Sequence, residues 1–137
     1  MKKLTWTAEC RLGYDEVDAQ HRLLFAIANE LIDIDNPQKQ GPEIKYLLTH
    51  LREYVEEHFA DEEKFLERVK YPELEDHKNK HAQIVKEIKD SLTSSSNLIQ
   101  LKRKLEDLLY NWVKQHILIE DKKYADWAKF HKLEEFK

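Results

Sequence analysis

Cysteine is all but absent from this 137-residue chain, where Cys10 stands alone. A single thiol excludes an intramolecular disulfide framework and any ligand set of four cysteines, and Cys10 reads as a small buried or idle side chain. Glycine and proline are nearly as scarce, with 2 and 3 residues. Gly13 and Gly41 cannot build a glycine-rich phosphate loop, and so few breakers point to a mostly helical protein. No stretch approaches the roughly 18 consecutive apolar residues of a membrane-spanning helix. The first residues, Met1-Lys-Lys-Leu-Thr-Trp-Thr-Ala-Glu9, carry lysines without the apolar segment of a secretory signal. The net charge of −4 is mild, and basic residues alternate with acids rather than forming a stripe. No nucleic-acid partner and no membrane partner are expected. The expected location is cytoplasmic.

What the chain does have is charge, at 36% of residues, with many Glu, Lys and Leu. That composition suits helices with solvated outer faces, and the length suits one domain over residues 1–137 with a sizeable core. Residues 1–17 hold Trp6, Gly13 and Tyr14 without a sustained period and read as an arm anchored by Trp6. A first helix is expected from Asp18, as its N-cap, to Asp35, with His21, Leu24, Phe25, Ala28, Leu31 and Ile32 on its inner stripe. Asn36-Pro37 stops it. Gly41-Pro42 opens a second helix to Val69, with proline tolerated in the first turn. Tyr71-Pro72 breaks that helix, and a third from Pro72 to Leu92 carries His77, His81, Ile84 and Ile88 on one stripe. Ser94 to Asn97 form a turn and supply a cap for a fourth helix, which faces inward with Leu101, Leu105, Leu108, Leu109, Trp112 and His116. The expected fold is all-α: an up-down-up-down four-helix bundle over residues 18–121. The tail, residues 122–137, is amphipathic and suits a short final helix.

The polar residues on these stripes carry the functional signal. His58-Phe-Ala-Asp-Glu62 places an imidazole and a carboxylate about 40° apart on one helical face, and that face is the apolar one of Leu47, Leu51, Tyr54, Phe65 and Val69. One such pair is ordinarily a buried hydrogen bond or a surface ion pair. Five of the seven histidines, however, fall on apolar stripes: His21, His58, His77, His81 and His116. His50 and His131 read as surface or rim residues. Five neutral imidazoles in a dry core each leave a donor and an acceptor to satisfy, and metal ions would satisfy them. His77 and His81 are spaced to chelate one ion. Asp121, five residues past His116, stands about 140° round an α-helix and can reach sideways into the site, especially if the helix loosens near its end. Two carboxylates that each bridge two cations, with five imidazoles, supply nine bonds. Nine bonds suit two six-coordinate ions that share a small bridge and keep one position open.

Asp18-Ala-Gln-His21, His58-x3-Glu62, His77-x3-His81 and His116-x4-Asp121, in this order, resemble the ligand signature of the hemerythrins in their single-domain bacterial form. The likeness covers nearly the whole chain and matches all seven ligand positions. It implies two iron ions (Fe2+/Fe3+) joined by an oxo or hydroxo bridge. His77, His81 and His116 would hold one iron, His21 and His58 the other, and Glu62 and Asp121 would bridge them. Dioxygen would bind at the open position of the two-histidine iron. Leu24, Phe59, Ile117 and Leu118, beside the ligands on their helices, are candidates for an apolar pocket wall as well as ordinary core. Gln20 and Tyr124 are candidates to support or gate the site.

Ligand type favours binding over catalysis. Bundle di-iron oxidases and ferritin-like proteins use Glu-x-x-His motifs and about four carboxylates, whereas this chain has no Glu-x-x-His. Five imidazoles with two carboxylates stabilise high-valent iron less well. Reversible dioxygen binding for storage, delivery or sensing is therefore expected. A zinc hydrolase is disfavoured because His-Glu-x-x-His is absent, and neither the clustered serines nor Cys10 suggests a nucleophile. Two alternatives stay open. One is a di-iron enzyme that handles nitric oxide or peroxide or repairs iron centres; the other is a redox or oxygen sensor acting through a separate partner.

Overall fold

Four helical rods form because each start and stop has a local cause, as seen in a computed structural model that describes residues 3–132. α1 (Asp15–Ile32) opens with Asp15, Glu16 and Asp18 in its first turn, where negative charge complements the helix dipole. It begins ahead of the expected Asp18, and Tyr14 occupies the N-cap position without a side-chain bond. Asp18 is not a cap. It is buried and turns back to the arm, where Oδ1 accepts the Leu12 N–H at 2.8 Å and Oδ2 accepts the Gly13 N–H at 3.2 Å. α2 (Gly41–Arg68) carries Pro42 in its first turn, where proline's missing N–H is harmless. It closes with the Tyr71 N–H on the Leu66 carbonyl at 2.9 Å and the Lys70 N–H on that of Glu67 at 3.1 Å. Lys70 takes the left-handed conformation that this closure needs, at φ 60°.

α3 (Leu74–Ser94) starts after the expected Pro72 and runs past Leu92. α4 (Leu98–Asn111) is capped by Asn97, whose side chain accepts the Gln100 N–H at 2.8 Å. The helical run then continues without a break, through a π-helical segment (Trp112–Asp121) into α5 (Lys122–Phe130). The expected tail helix is thus the end of the fourth rod. Residues 133–137 of that tail, and Met1 and Lys2 of the arm, lie outside the described residues.

Each rod packs on the rods before and after it, and the fourth returns to the first, which makes an up-down-up-down bundle. Among the described residues there is no strand, and no helix is long and apolar enough to cross a membrane. The arm contains a short 3-10 turn (Ala8–Cys10) and lies across the bundle. Leu4 exchanges two hydrogen bonds with the Asn29 side chain, and Trp6 sets its edge on Phe25 at 5.2 Å beneath the Arg22 guanidinium.

The apolar interior is divided in two. A larger core holds Leu24, Leu51, Tyr54, Phe59, Ile84, Trp112 and Ile117. A smaller one holds Leu12, Val17, Phe65, Leu66, Tyr124 and Ala128. On every rod the sequence passes from one core to the other through buried polar residues: His21, then His58 and Glu62, then His81 and His77, then His116 and Asp121. The fold thereby stacks a polar layer between two apolar ones.

Candidate metal centre

The seven inward polar residues converge in that layer. One group brings ligand atoms of Glu62, His77, His81, His116 and Asp121 within 4.8 Å of one another, and a second does the same for His21, His58, Glu62 and Asp121. The groups overlap in the two carboxylates. His50 and His131 stand apart, half-buried and exposed.

The helices aim these side chains. On α2, His58 and Glu62 are one turn apart, with Nε2 and Oε2 at 3.3 Å. On α3, His77 and His81 both direct Nε2 at Glu62 Oε1, at 2.6 and 2.9 Å. The loosening that favours Asp121 is present, as a π-helical stretch of 10 residues. Its i→i+5 bonding brings a residue five positions on back toward the face of the first, so Asp121 need not reach far sideways. Asp121 Oδ1 therefore lies 3.1 Å from His116 Nε2 and 3.1 Å from His77 Nε2, and Oδ2 lies 3.1 Å from His21 Nε2.

Proximity has not produced satisfied groups. Both Asp121 oxygens, both His21 nitrogens and His116 Nε2 are buried without a hydrogen-bond partner. Several unmatched polar atoms in one layer are costly, at roughly 1–3 kcal/mol each. A cation between them would supply the missing partner. Imidazole nitrogens with carboxylate oxygens suit first-row transition metals, so the residues fit the pair of ions that the spacing implies.

The protein's own charges already balance in part. Burial pushes Glu62 upward, but the imidazoles of His116, His58 and His77 outweigh it and hold the carboxyl well below the usual range. Burial and the Glu62 charge push Asp121 up, and His116 and His21 bring it below the usual range. Burial pulls His77 and His116 down, yet Asp121 and Glu62 raise them to about 10 and about 9. His58 is lowered, chiefly by burial. Two imidazolium protons thus stand where cationic charge is wanted.

Around the layer, Leu24 and Ile117 are fully buried, Leu118 is half-buried against the larger core, and Phe59 lies parallel on the His81 ring at 3.7 Å. Gln20 Oε1 meets His58 Nδ1 at 2.5 Å, and the Tyr124 hydroxyl donates to Glu62 Oε2 at 3.1 Å. Three residues escape a reading of the sequence. Glu63 holds His81 Nδ1 at 2.7 Å, and Asp61 accepts from Gln20 Nε2 at 3.0 Å. Both belong to an acidic run that reads as a hydrated face, and only the packing of α2 on its neighbours turns them inward. Tyr54 reads as a core ring, yet it stacks on His58 and buries a hydroxyl with no partner.

The Hemerythrin HHE cation binding domain matches residues 12–128, which contain all seven clustered side chains. A bacteriohemerythrin of Clostridium acetobutylicum is 33% identical over 126 residues, covering 88% of this chain and 98% of that protein. One of Stenotrophomonas maltophilia is 28% identical over 131 residues, 96% of this chain and 85% of its own. One of Campylobacter jejuni is 29% identical over 117 residues, at 85% and 88%. With the match running from the arm into the last helix, the chain belongs to the hemerythrin family.

Proposed function

We propose that this protein binds dioxygen reversibly, for storage, delivery or sensing, at two iron ions held by His21, His58, Glu62, His77, His81, His116 and Asp121. The observation that carries the reading is the overlap of a five-residue and a four-residue group in the two carboxylates. His77, His81 and His116 would serve one ion and His21 and His58 the other, with Glu62 and Asp121 shared. A ferrous pair, when bound, supplies the electrons that dioxygen draws on as it binds and gives back as it leaves.

The rest of the task falls to the chain. Leu24, Phe59, Ile117 and Leu118 wall the layer with hydrocarbon and limit the water and protons that would drive oxygen onward to reduction. Tyr124 fixes Glu62 through its hydroxyl. The low carboxylate count keeps negative charge at the site small and favours release over further oxidation.

The test is anaerobic loading with ferrous iron, followed by visible spectra through cycles of air and vacuum. A band that rises with air and vanishes under vacuum, cycle after cycle, supports the proposal. Rapid, irreversible conversion with oxidation of an added substrate would replace it with an enzyme. Failure to take up two irons per chain would remove the ligand assignment itself.

A further inference from the structure

His58 and His81 sit in different halves of the cluster and use their outer nitrogens differently. His81 Nδ1 lies 2.7 Å from Glu63 Oε2. A carboxylate only accepts, so Nδ1 carries a hydrogen; Nε2, which faces Glu62 Oε1 at 2.9 Å, is the nitrogen that would give its lone pair to a bound cation. His58 Nδ1 lies 2.5 Å from Gln20 Oε1, and Gln20 Nε2 donates to Asp61 Oδ2 at 3.0 Å. Asp61 thereby sets the amide with its oxygen toward His58, and Nε2 of that ring is likewise the inward donor.

The tautomers agree, but the charge behind them does not. Glu63 brings a full negative charge to the outer nitrogen of His81, whereas Gln20 offers a neutral amide. Charge-assisted hydrogen bonds are roughly twice as strong as neutral ones, and a carboxylate behind an imidazole raises its strength as a metal donor. The Glu63 side chain is 29% exposed while that of His81 is 3% exposed. Its charge stays partly hydrated, so the layer gains the field without burying a third carboxylate. Steering the ring is already done by Phe59, parallel to it at 3.7 Å. What Glu63 adds is therefore mainly electronic.

We infer that Glu63 makes the three-histidine position the tighter of the two metal positions, filled first and emptied last, while Gln20 leaves the two-histidine position the more exchangeable. This rests on the proposed seven-residue ligand set. Glu63 is a positioning and tuning residue that acts through His81.

The experiment titrates metal-free protein with cobalt(II) against a competing chelator and follows the visible d–d absorption. The native chain should fill in two steps. Glu63→Gln keeps an oxygen for the Nδ1 hydrogen bond and removes only the charge. It should weaken the first step by roughly 10–100-fold, shift the absorption of the first equivalent, and leave the second step in place. An unchanged first step, or equal weakening of both, would overturn the inference. Withdrawal of cobalt from the doubly loaded native protein gives an independent reading. The last spectrum to survive should match that of His21→Ala, which keeps the three-histidine position intact, and a mismatch would also overturn it. If the native chain takes up fewer than two cobalt ions, the ligand set fails, and that result differs from a two-step titration insensitive to Glu63.

Discussion

The Tyr124 hydroxyl donates to Glu62 Oε2 at 3.1 Å across 62 positions of sequence, and both side chains are fully buried. The bond ties α5 to α2 at the edge of the polar layer. Tyr124→Phe would keep the ring against Phe65 and Tyr71 and delete one donor to a buried carboxylate. The expected loss is about 1.5–3 kcal/mol in the metal-free protein, read by urea unfolding. An unchanged midpoint would mean that Glu62 finds another partner.

His77 has the larger stake. Its Nε2 lies 2.6 Å from Glu62 and 3.1 Å from Asp121. His77→Ala leaves two buried carboxylates short of their cation and should cost about 3–5 kcal/mol without metal. It should also lower the metal-to-protein ratio by emptying the three-histidine position. Native stability together with full metal content would remove His77 from the centre.

Metal uptake should release protons. His77 and His116, raised to about 10 and about 9, are protonated at neutral pH in the metal-free protein, and imidazole binds metal only when its nitrogen is free. Calorimetric titrations in two buffers of different ionisation enthalpy should therefore give different apparent heats. Identical heats would mean that both imidazoles were already neutral.

The metal-free protein should lose stability toward both acid and alkali. His77 is raised from 6.5 to about 10, so its contribution is complete below 6.5 and fades as pH climbs toward 10. His116 acts in the same direction and fades toward about 9. Glu62 is depressed from 4.5, so its contribution is complete above 4.5 and is lost as pH falls. His58, lowered from 6.5 by burial, also favours the fold less as pH falls below 6.5. Melting temperatures taken across this range should peak near neutrality. A midpoint that holds steady from pH 7 to 10 would contradict the alkaline limb.

Gly13 tests the latch that Asp18 makes with the arm. Its φ of 91° is one that L side chains rarely adopt, and an added Cβ would meet Lys129 Nζ at 2.5 Å. The lysine end can swing away, so the backbone decides. Gly13→Ala should cost about 1–2 kcal/mol, measured by thermal melting with the metal content unchanged. A neutral result would show that the turn relaxes to another conformation.

The bundle is legible in the sequence wherever its punctuation is chemical. Asn36-Pro37, Tyr71-Pro72 and Ser95 to Asn97 lie between observed helices, although α1 already ends at Ile32, short of the expected Asp35, and Ser94 is the last residue of α3. Asp18 misleads because aspartate serves equally as a cap and as an acceptor for incoming backbone, and only the path of the arm decides between them. The inward histidines stand out because they are too polar for the stripes they occupy. Their supports do not. Glu63 and Asp61 carry charges of the kind that ordinarily face water, and pairing of helices distant in sequence gives them their partners. A wheel drawn at 100° per residue misplaces Asp121, and only its five-residue spacing from His116 hints at the widening after Asn111, since nothing in the composition of Lys114 to Glu120 marks an extra residue per turn.

That widened stretch turns chain length into a constraint. Between Trp112 and Tyr124 most exposed positions, such as Lys114, Gln115 and Ile119, can change identity without disturbing the layer. Their number cannot change. Removing one residue would rotate everything beyond it by about 100°, carry Asp121 off His116, and swing Tyr124, Ala125 and Ala128 out of the smaller core together. At these exposed positions relatives should drift freely by substitution while insertions and deletions anywhere in the segment are purged, so there selection sees spacing rather than side-chain identity.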